Sequence, residues 1–268
     1  MTHFLAALVT LVLLWLSAAI ARYVRPRLPE THRTRETIET MQLMITMLVT
    51  FAALVLGLLT ASVKNSYDIA GRDRQGYALR LTQLDRCLRD YGSAADPIRE
   101  LLKSYTAAVI ASTWPSEPKP EGVQFPDTSR MARVGADPVL AGIMDQSEGQ
   151  LRRLDPPDAF HAKLVAHCLS IFDEVLNARE AVIQDVGGRL SWPFYCILVF
   201  WLMVIFAAFG LAAPRNNLSL IAILLCAISL SSTIFVISEL SEPYGGLLSI
   251  PSDAMRSALA HMTAPSGP

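Results

Sequence analysis

The chain has 268 residues, of which 52% are apolar and only 18% charged, against about 25% charged in an ordinary soluble domain. Its 23 Lys and Arg offset 24 Asp and Glu to a net charge of −1, which excludes a protein that holds nucleic acid by bulk positive charge. A long disordered chain is excluded by the low charge, and four cysteines are too few for a disulfide scaffold, which leaves a membrane protein.

Four uncharged runs carry that reading. The first goes from Phe4 to Ala21 and the second from Met41 to Val63. The third lies between Arg189 and Arg215, and the fourth runs from Asn216 to Ser238. A hydrocarbon core of about 30 Å takes about 20 helical residues. None of the runs shows the alternation of barrel strands, and only helices otherwise satisfy their own backbone in lipid. The fold class is therefore all-α, with four transmembrane helices and a helical-bundle soluble domain inserted between the second and third spans. Its parts are residues 1–63 (spans at about 4–21 and 41–63 with an Arg-rich linker), an extramembrane domain at 64–190, two further spans in 191–239, and a carboxyl tail at 240–268. Ala19-Ile20-Ala21 could pass as a signal-peptide cleavage site, but Met1-Thr2-His3 lacks the Lys or Arg of such a leader, so the first span is read as retained.

Within 64–190, Tyr77, Leu81, Leu84, Leu88 and Tyr91 recur at helical spacing, opposite Arg80, Asp85, Arg86 and Arg89. Asp96-Pro97 starts a second helix, carrying Ile98, Leu101, Leu102, Tyr105, Ala108 and Val109 on one side. Trp114 to Asp127 holds four prolines and reads as a mobile surface loop. A third helix fits Pro138 to Leu154. A fourth follows Pro156-Pro157, with Phe160, Leu164, Cys168, Ile171, Val175 and Val182 along one face, and breaks at Gly187-Gly188. Together they read as a small antiparallel bundle continuous with the second and third spans.

The linker from Arg22 to Thr40 holds Arg22, Arg25, Arg27, Arg33 and Arg35, and Arg215 sits in the turn between the last two spans. Short loops rich in Lys and Arg stay in the cytoplasm, whereas long domains cross with little regard to charge. The count puts both termini and the 64–190 domain on the non-cytoplasmic side of an inner membrane. On that side a disulfide between Cys87 and Cys168 is open to the domain. The default is two buried free thiols, with Cys196 and Cys226 as small apolar residues of the spans.

No catalytic constellation, metal site or phosphate loop emerges, so neither catalysis nor a cofactor is expected. On the second span Gln42, Thr46, Thr50, Ala53, Gly57, Thr60 and Lys64 form one stripe of small or polar residues. A second stripe on the fourth span runs through Ala222, Cys226, Ser229, Ser232, Thr233, Val236 and Glu239. Such stripes serve either close helix packing or the wall of a watered path. The second span stands evenly between the two; the fourth reads rather as packing. Glu239 and Glu242 close the fourth span, with Lys64 as a possible counter-charge to Glu239 at the same mouth.

The run Phe209-Gly210-Leu211, then Pro214-Arg215-Asn216, then the Ser-rich span ending in Glu239-Leu240-Ser241-Glu242-Pro243-Tyr244-Gly245-Gly246, resembles the bestrophin-like domain family. The family's layout of two spans, a helical segment and two more spans is similar to the one read here. The resemblance implies kinship with bestrophins, which are oligomeric anion channels with the second span on the pore and the helical domain in the cytoplasm. The charge count is retained for orientation. The expectation is a homo-oligomer in a lipid bilayer that conducts ions and binds no nucleic acid. The alternative is a membrane-anchored sensory or scaffolding protein whose helical bundle takes a partner or a small ligand.

Overall fold

The structure, a computed structural model, describes residues 2–27, 35–185, 192–214 and 216–264. Eight α-helices make up most of it: α1 (Thr2–Val24), α2 (Arg35–Tyr91), α3 (Asp96–Thr113), α4 (Pro138–Arg152), α5 (Ala159–Asp185), α6 (Trp192–Ala212), α7 (Asn217–Leu240) and α8 (Asp253–Thr263). Four of them, α1, α2, α6 and α7, are long and apolar enough to cross a membrane. The helices fall into two compact units, one of residues 1–67 and 189–248, the other of 68–188 and 249–268.

The first unit is centred on α1, which packs on both α6 and α7. Its apolar core joins Leu14 and Ala18 of α1, Ala52 and Leu56 of α2, Leu202 and Phe206 of α6, and Ala227 and Ile234 of α7. Hydroxyls pin these helices where apolar packing alone would let them slide. Thr10 Oγ1 and Tyr195 Oη are 2.7 Å apart, Ser17 donates to the Met203 carbonyl at 2.7 Å, and Ser231 donates to the Ala7 carbonyl at 2.5 Å. Arg22 donates to the carbonyls of Pro214 (3.2 Å) and Asn216 (3.4 Å), and Arg25 to that of Ala213. Guanidinium groups thereby satisfy acceptors that the end of α6 and the turn after it leave open. Arg33, Arg215 and the Gly187-Gly188 break lie outside the described residues.

The second unit is a bundle around α3, which packs on α4 and α8. Tyr77, Leu81, Leu84 and Leu88 of α2 are buried in its core with Leu102 and Tyr105 of α3, Leu140 and Met144 of α4, and Phe172 and Val175 of α5. α4 begins where its sequence says it should: Pro138 takes the first helical position and the Asp137 carboxylate accepts from the Val139 amide at 2.9 Å.

The second span and the first soluble helix are one uninterrupted α2 of 57 residues, the continuity expected of the bundle with that span. Two features differ from the sequence reading. The carboxyl tail carries a helix, α8, whose Met255, Ala258, Leu259 and Met262 are buried at steps of one helical face. The Trp114–Asp127 stretch, expected to be loose, is tied down: Trp114 Nε1 donates to the Ile250 carbonyl at 2.8 Å, and Glu117 accepts from Ser252 and from Arg256 Nε at 3.0 Å.

Candidate functional site

Helix α2 has three faces. At about 100° per residue, Ala52, Val55, Leu56, Leu59 and Val63 share the side that meets the core of the first unit. Leu43, Met47, Leu54 and Leu58 form an exposed apolar side. Between them, about 115° from the inward side, lie Gln42, Thr46, Thr50, Ala53, Gly57, Thr60 and Lys64. All of these but the half-buried Thr60 are exposed. A Cβ built at Gly57 would meet nothing within 4 Å. The smallness of this residue therefore answers no neighbour among the described residues.

The threonines do not need water to satisfy their hydroxyls. Thr46, Thr50 and Thr60 donate to the carbonyls of Gln42, Thr46 and Leu56 at 2.8, 2.8 and 2.7 Å. The hydrogen is spent inside the helix, so the three threonines offer outward only oxygen lone pairs and little bulk. Lys64 lies over the Tyr67 ring, 5.6 Å from its centroid.

The stripe expected on α7 is not the face that packs within the chain. Ala222, Cys226, Ser229, Ser232 and Val236 are exposed, while Ile223, Ala227, Ser231, Ile234 and Ile237 point inward. Ser232 and Thr233 return their hydroxyls to the Ile228 and Ser229 carbonyls. Among the described hydroxyls of α7, Ser231 is the one that bonds another helix, and small size alone did not single it out in the sequence.

The residues shared with the family motif are structural anchors. Gly210 lies where α6 crosses α1, and a Cβ there would come within 2.2 Å of the Ala18 carbonyl oxygen. Phe209 packs edge-on against Phe206, with ring centroids 5.9 Å apart. Pro214 supplies its carbonyl to Arg22, and Asn216 caps α7 by accepting from the Ser219 amide at 2.8 Å. After α7 the chain turns sharply, with Pro243 and Tyr244 buried and Gly246 at φ +77°. The turn wraps the Glu239 carboxylate, which is only 3% exposed and accepts from the amides of Leu247 at 2.6 Å and Leu248 at 3.4 Å. A Cβ on Gly246 would meet Glu239 Oε2 at 2.2 Å, so glycine is required there twice over. Glu242, three residues on, reaches His3 Nε2 at 3.2 Å. The two acids the sequence reading set side by side at a mouth are thus one buried and one half-buried.

In the second unit Cys87 of α2 and Cys168 of α5 form a disulfide with Cα atoms 5.7 Å apart, in place of the two free thiols taken as the default. Asp85, also on α2, is buried and holds Arg89 and Arg99, each at 2.9 Å. Asp185, the last residue of α5, has its carboxyl pushed up to about 6, mainly by burial and then by the nearby Asp73, with Arg74 opposing. Among the described residues no group of three His, Cys, Asp or Glu is placed to hold a metal ion.

An all-helical membrane protein with four apolar helices and a motif-bearing turn at Glu239 is thereby defined. The chain belongs to the Bestrophin-like domain family, which matches residues 11–255. Solved structures share the fold. A bacterial bestrophin homologue from Klebsiella pneumoniae, solved by Zn-SAD phasing, is 15% identical, with a TM-score of 0.69 over 95% of this chain and 96% of that one. A mutant form of the homologue from the same organism gives 14% identity and a TM-score of 0.68 over 96% and 99%. A second mutant form gives 15% and 0.69 over 96% and 97%. Among curated proteins, a mitochondrial ribosome-releasing factor 2 of Eremothecium gossypii is 39% identical over 54 residues, which spans 19% of this chain and 6% of that protein.

Proposed function

We propose that the chain is the subunit of a homo-oligomeric ion channel in the inner membrane, with the second span on the conduction path. The observation that carries this reading is the cover each span receives from its own chain. Of the most apolar 18 residues in each helix, 22% are buried in α1, 33% in α6 and 28% in α7, but only 11% in α2. A helix left bare in the subunit, with a glycine at position 57 whose added Cβ would meet nothing within 4 Å among the described residues, is suited to face copies of itself around an axis. In that ring Gln42, Thr46, Thr50, Ala53, Gly57 and Thr60 form the wall. Lys64 and Glu242 border one mouth, and Glu239 stands behind them as the residue that shapes the turn. Family membership and the fold shared with the bacterial homologues support the same reading.

Both termini and the second unit lie on the non-cytoplasmic side in this proposal. The five arginines between Arg22 and Thr40 support it, as does a disulfide, which persists in an oxidising compartment.

The test is recording from purified protein in planar bilayers. In a Cys196→Ala, Cys226→Ala background, Thr50→Cys exposed to a charged thiol reagent should change the single-channel current. Silence across voltage, salt and pH, together with a monomeric mass in detergent, would overturn the proposal.

A further inference from the structure

The second unit has a cavity of about 390 Å³ between α2 and α5. Cys87 is in its wall, one residue from Arg86 and three from Asp90, and His167 faces them from α5 beside Cys168. Two further charges on the rim neutralise each other: Arg80 bonds Glu174 at 2.9 Å and Gln83 at 2.9 Å. Among the described residues, Arg86, Asp90 and His167 enter no side-chain hydrogen bond or ion pair. The cavity thus offers one open cation and one open anion a single helical turn apart, with Cys87 of the disulfide in the wall beside them.

The geometry points to a thiol-exchange site for a small zwitterionic aminothiol, its carboxylate held by Arg86 and its ammonium by Asp90. This inference stands apart from conduction and holds on either side of the membrane. Cys87 is the sulfur attacked, because it lines the cavity while Cys168 does not. The incoming thiolate forms a bond to Cys87 Sγ as the bond between Cys87 and Cys168 breaks, and the electron pair leaves on Cys168 Sγ, which takes up a proton. A second thiolate then attacks the sulfur of the bound aminothiol. Cys87 is released and protonated, and the aminothiol leaves as its symmetrical disulfide. Two thiols are oxidised and one disulfide is reduced, and the same site run backwards oxidises the pair. Loss of the bond removes the covalent link between α2 and α5.

The experiment follows loss of the disulfide by mass after alkylation, on the full-length protein in detergent. The probes are four thiols: free L-cysteine, neutral 2-mercaptoethanol, cationic cysteamine and anionic 3-mercaptopropionate, with rates divided by thiolate concentration. A pair of charge-assisted contacts should give L-cysteine an advantage of about tenfold over 2-mercaptoethanol. Arg86→Gln and Asp90→Asn should each erase that advantage while leaving the 2-mercaptoethanol rate unchanged, a control that the fold is kept. Equal normalised rates for all four thiols overturn the proposal. So do unchanged ratios in both variants, or a bond that resists every thiol until the chain is unfolded.

Discussion

In α6 a glycine is required because a methyl group would meet the Ala18 carbonyl at 2.2 Å, whereas in α2 a methyl group on Gly57 would meet nothing within 4 Å. The two helices are alike in apolar character, and both are long enough to span a bilayer. One is consumed by contacts inside the chain: its small residue permits a close crossing with α1, and its neighbours Leu202, Ile205 and Phe206 are buried. The other turns only one side to its own chain and leaves two sides bare among the described residues. A small residue in an apolar helix therefore has two different meanings, and only the position of the neighbours separates them. Where the neighbour belongs to the same chain, the residue is part of the fold; where none is present, it is available to whatever the chain meets outside itself.

Substitutions at the two glycines should separate these meanings. Gly210→Val forces α6 away from the α1 backbone and should lower stability by about 3 kcal/mol, the upper end of overpacking costs, read as a fall in melting temperature in detergent. Gly57→Val should leave the stability of the isolated chain, read the same way, within about 0.5 kcal/mol of the parent while altering current or assembly. Equal destabilisation at both positions would break the contrast. In the second unit, Cys168→Ala removes the link between α2 and α5 and should cost about 2–4 kcal/mol, measured by denaturant unfolding under non-reducing conditions. At the turn, Glu239→Gln keeps the shape but takes the charge from two amide hydrogen bonds, and a loss of about 1–2 kcal/mol is expected. Gly246→Ala should be worse than this, because it adds a contact with the carboxylate to a positive φ.

The smallest effect is a pH slope. The Asp185 carboxyl sits at about 6 in the fold against 3.8 for a free side chain. The folded form therefore holds a proton that the unfolded chain gives up earlier. Stability should fall as pH rises from 3.8 towards about 6, and level off above. Asp185→Asn should flatten melting temperature across that window, and a slope that survives the substitution would assign the effect to another group.

Much of this was legible in the sequence, and for identifiable reasons. Unbroken apolar runs fix the number of long helices because lipid leaves the backbone no other choice. Pro138 after Asp137 marks the start of α4 because that pair supplies both a cap and a preset φ. The continuity of the second span with the soluble bundle was legible too, because Lys64 to Asp73 interrupts the apolar periodicity but holds no proline to break the helical backbone. α8 was missed although Met255, Ala258, Leu259 and Met262 show the spacing plainly; following a span, it read as a tail. Ser231 was missed because counting small residues finds a stripe but not which side another helix occupies. The burial of Glu239 depends on a turn folding back from Gly246, a tertiary event that leaves only the Pro-Tyr-Gly-Gly run as its trace. Glu117 and Arg256 pair across more than half the chain length, and no local pattern links them.

That last pair has a practical consequence. Arg256 and Ser252 hold Glu117, and Ile250 receives Trp114, within one compact unit, so the final helix and the disulfide-bearing bundle must occupy the same compartment. A reporter fused behind the last residue, such as an enzyme that matures only outside the cytosol, would therefore announce where Cys87 and Cys168 reside without any cut or label placed in the bundle.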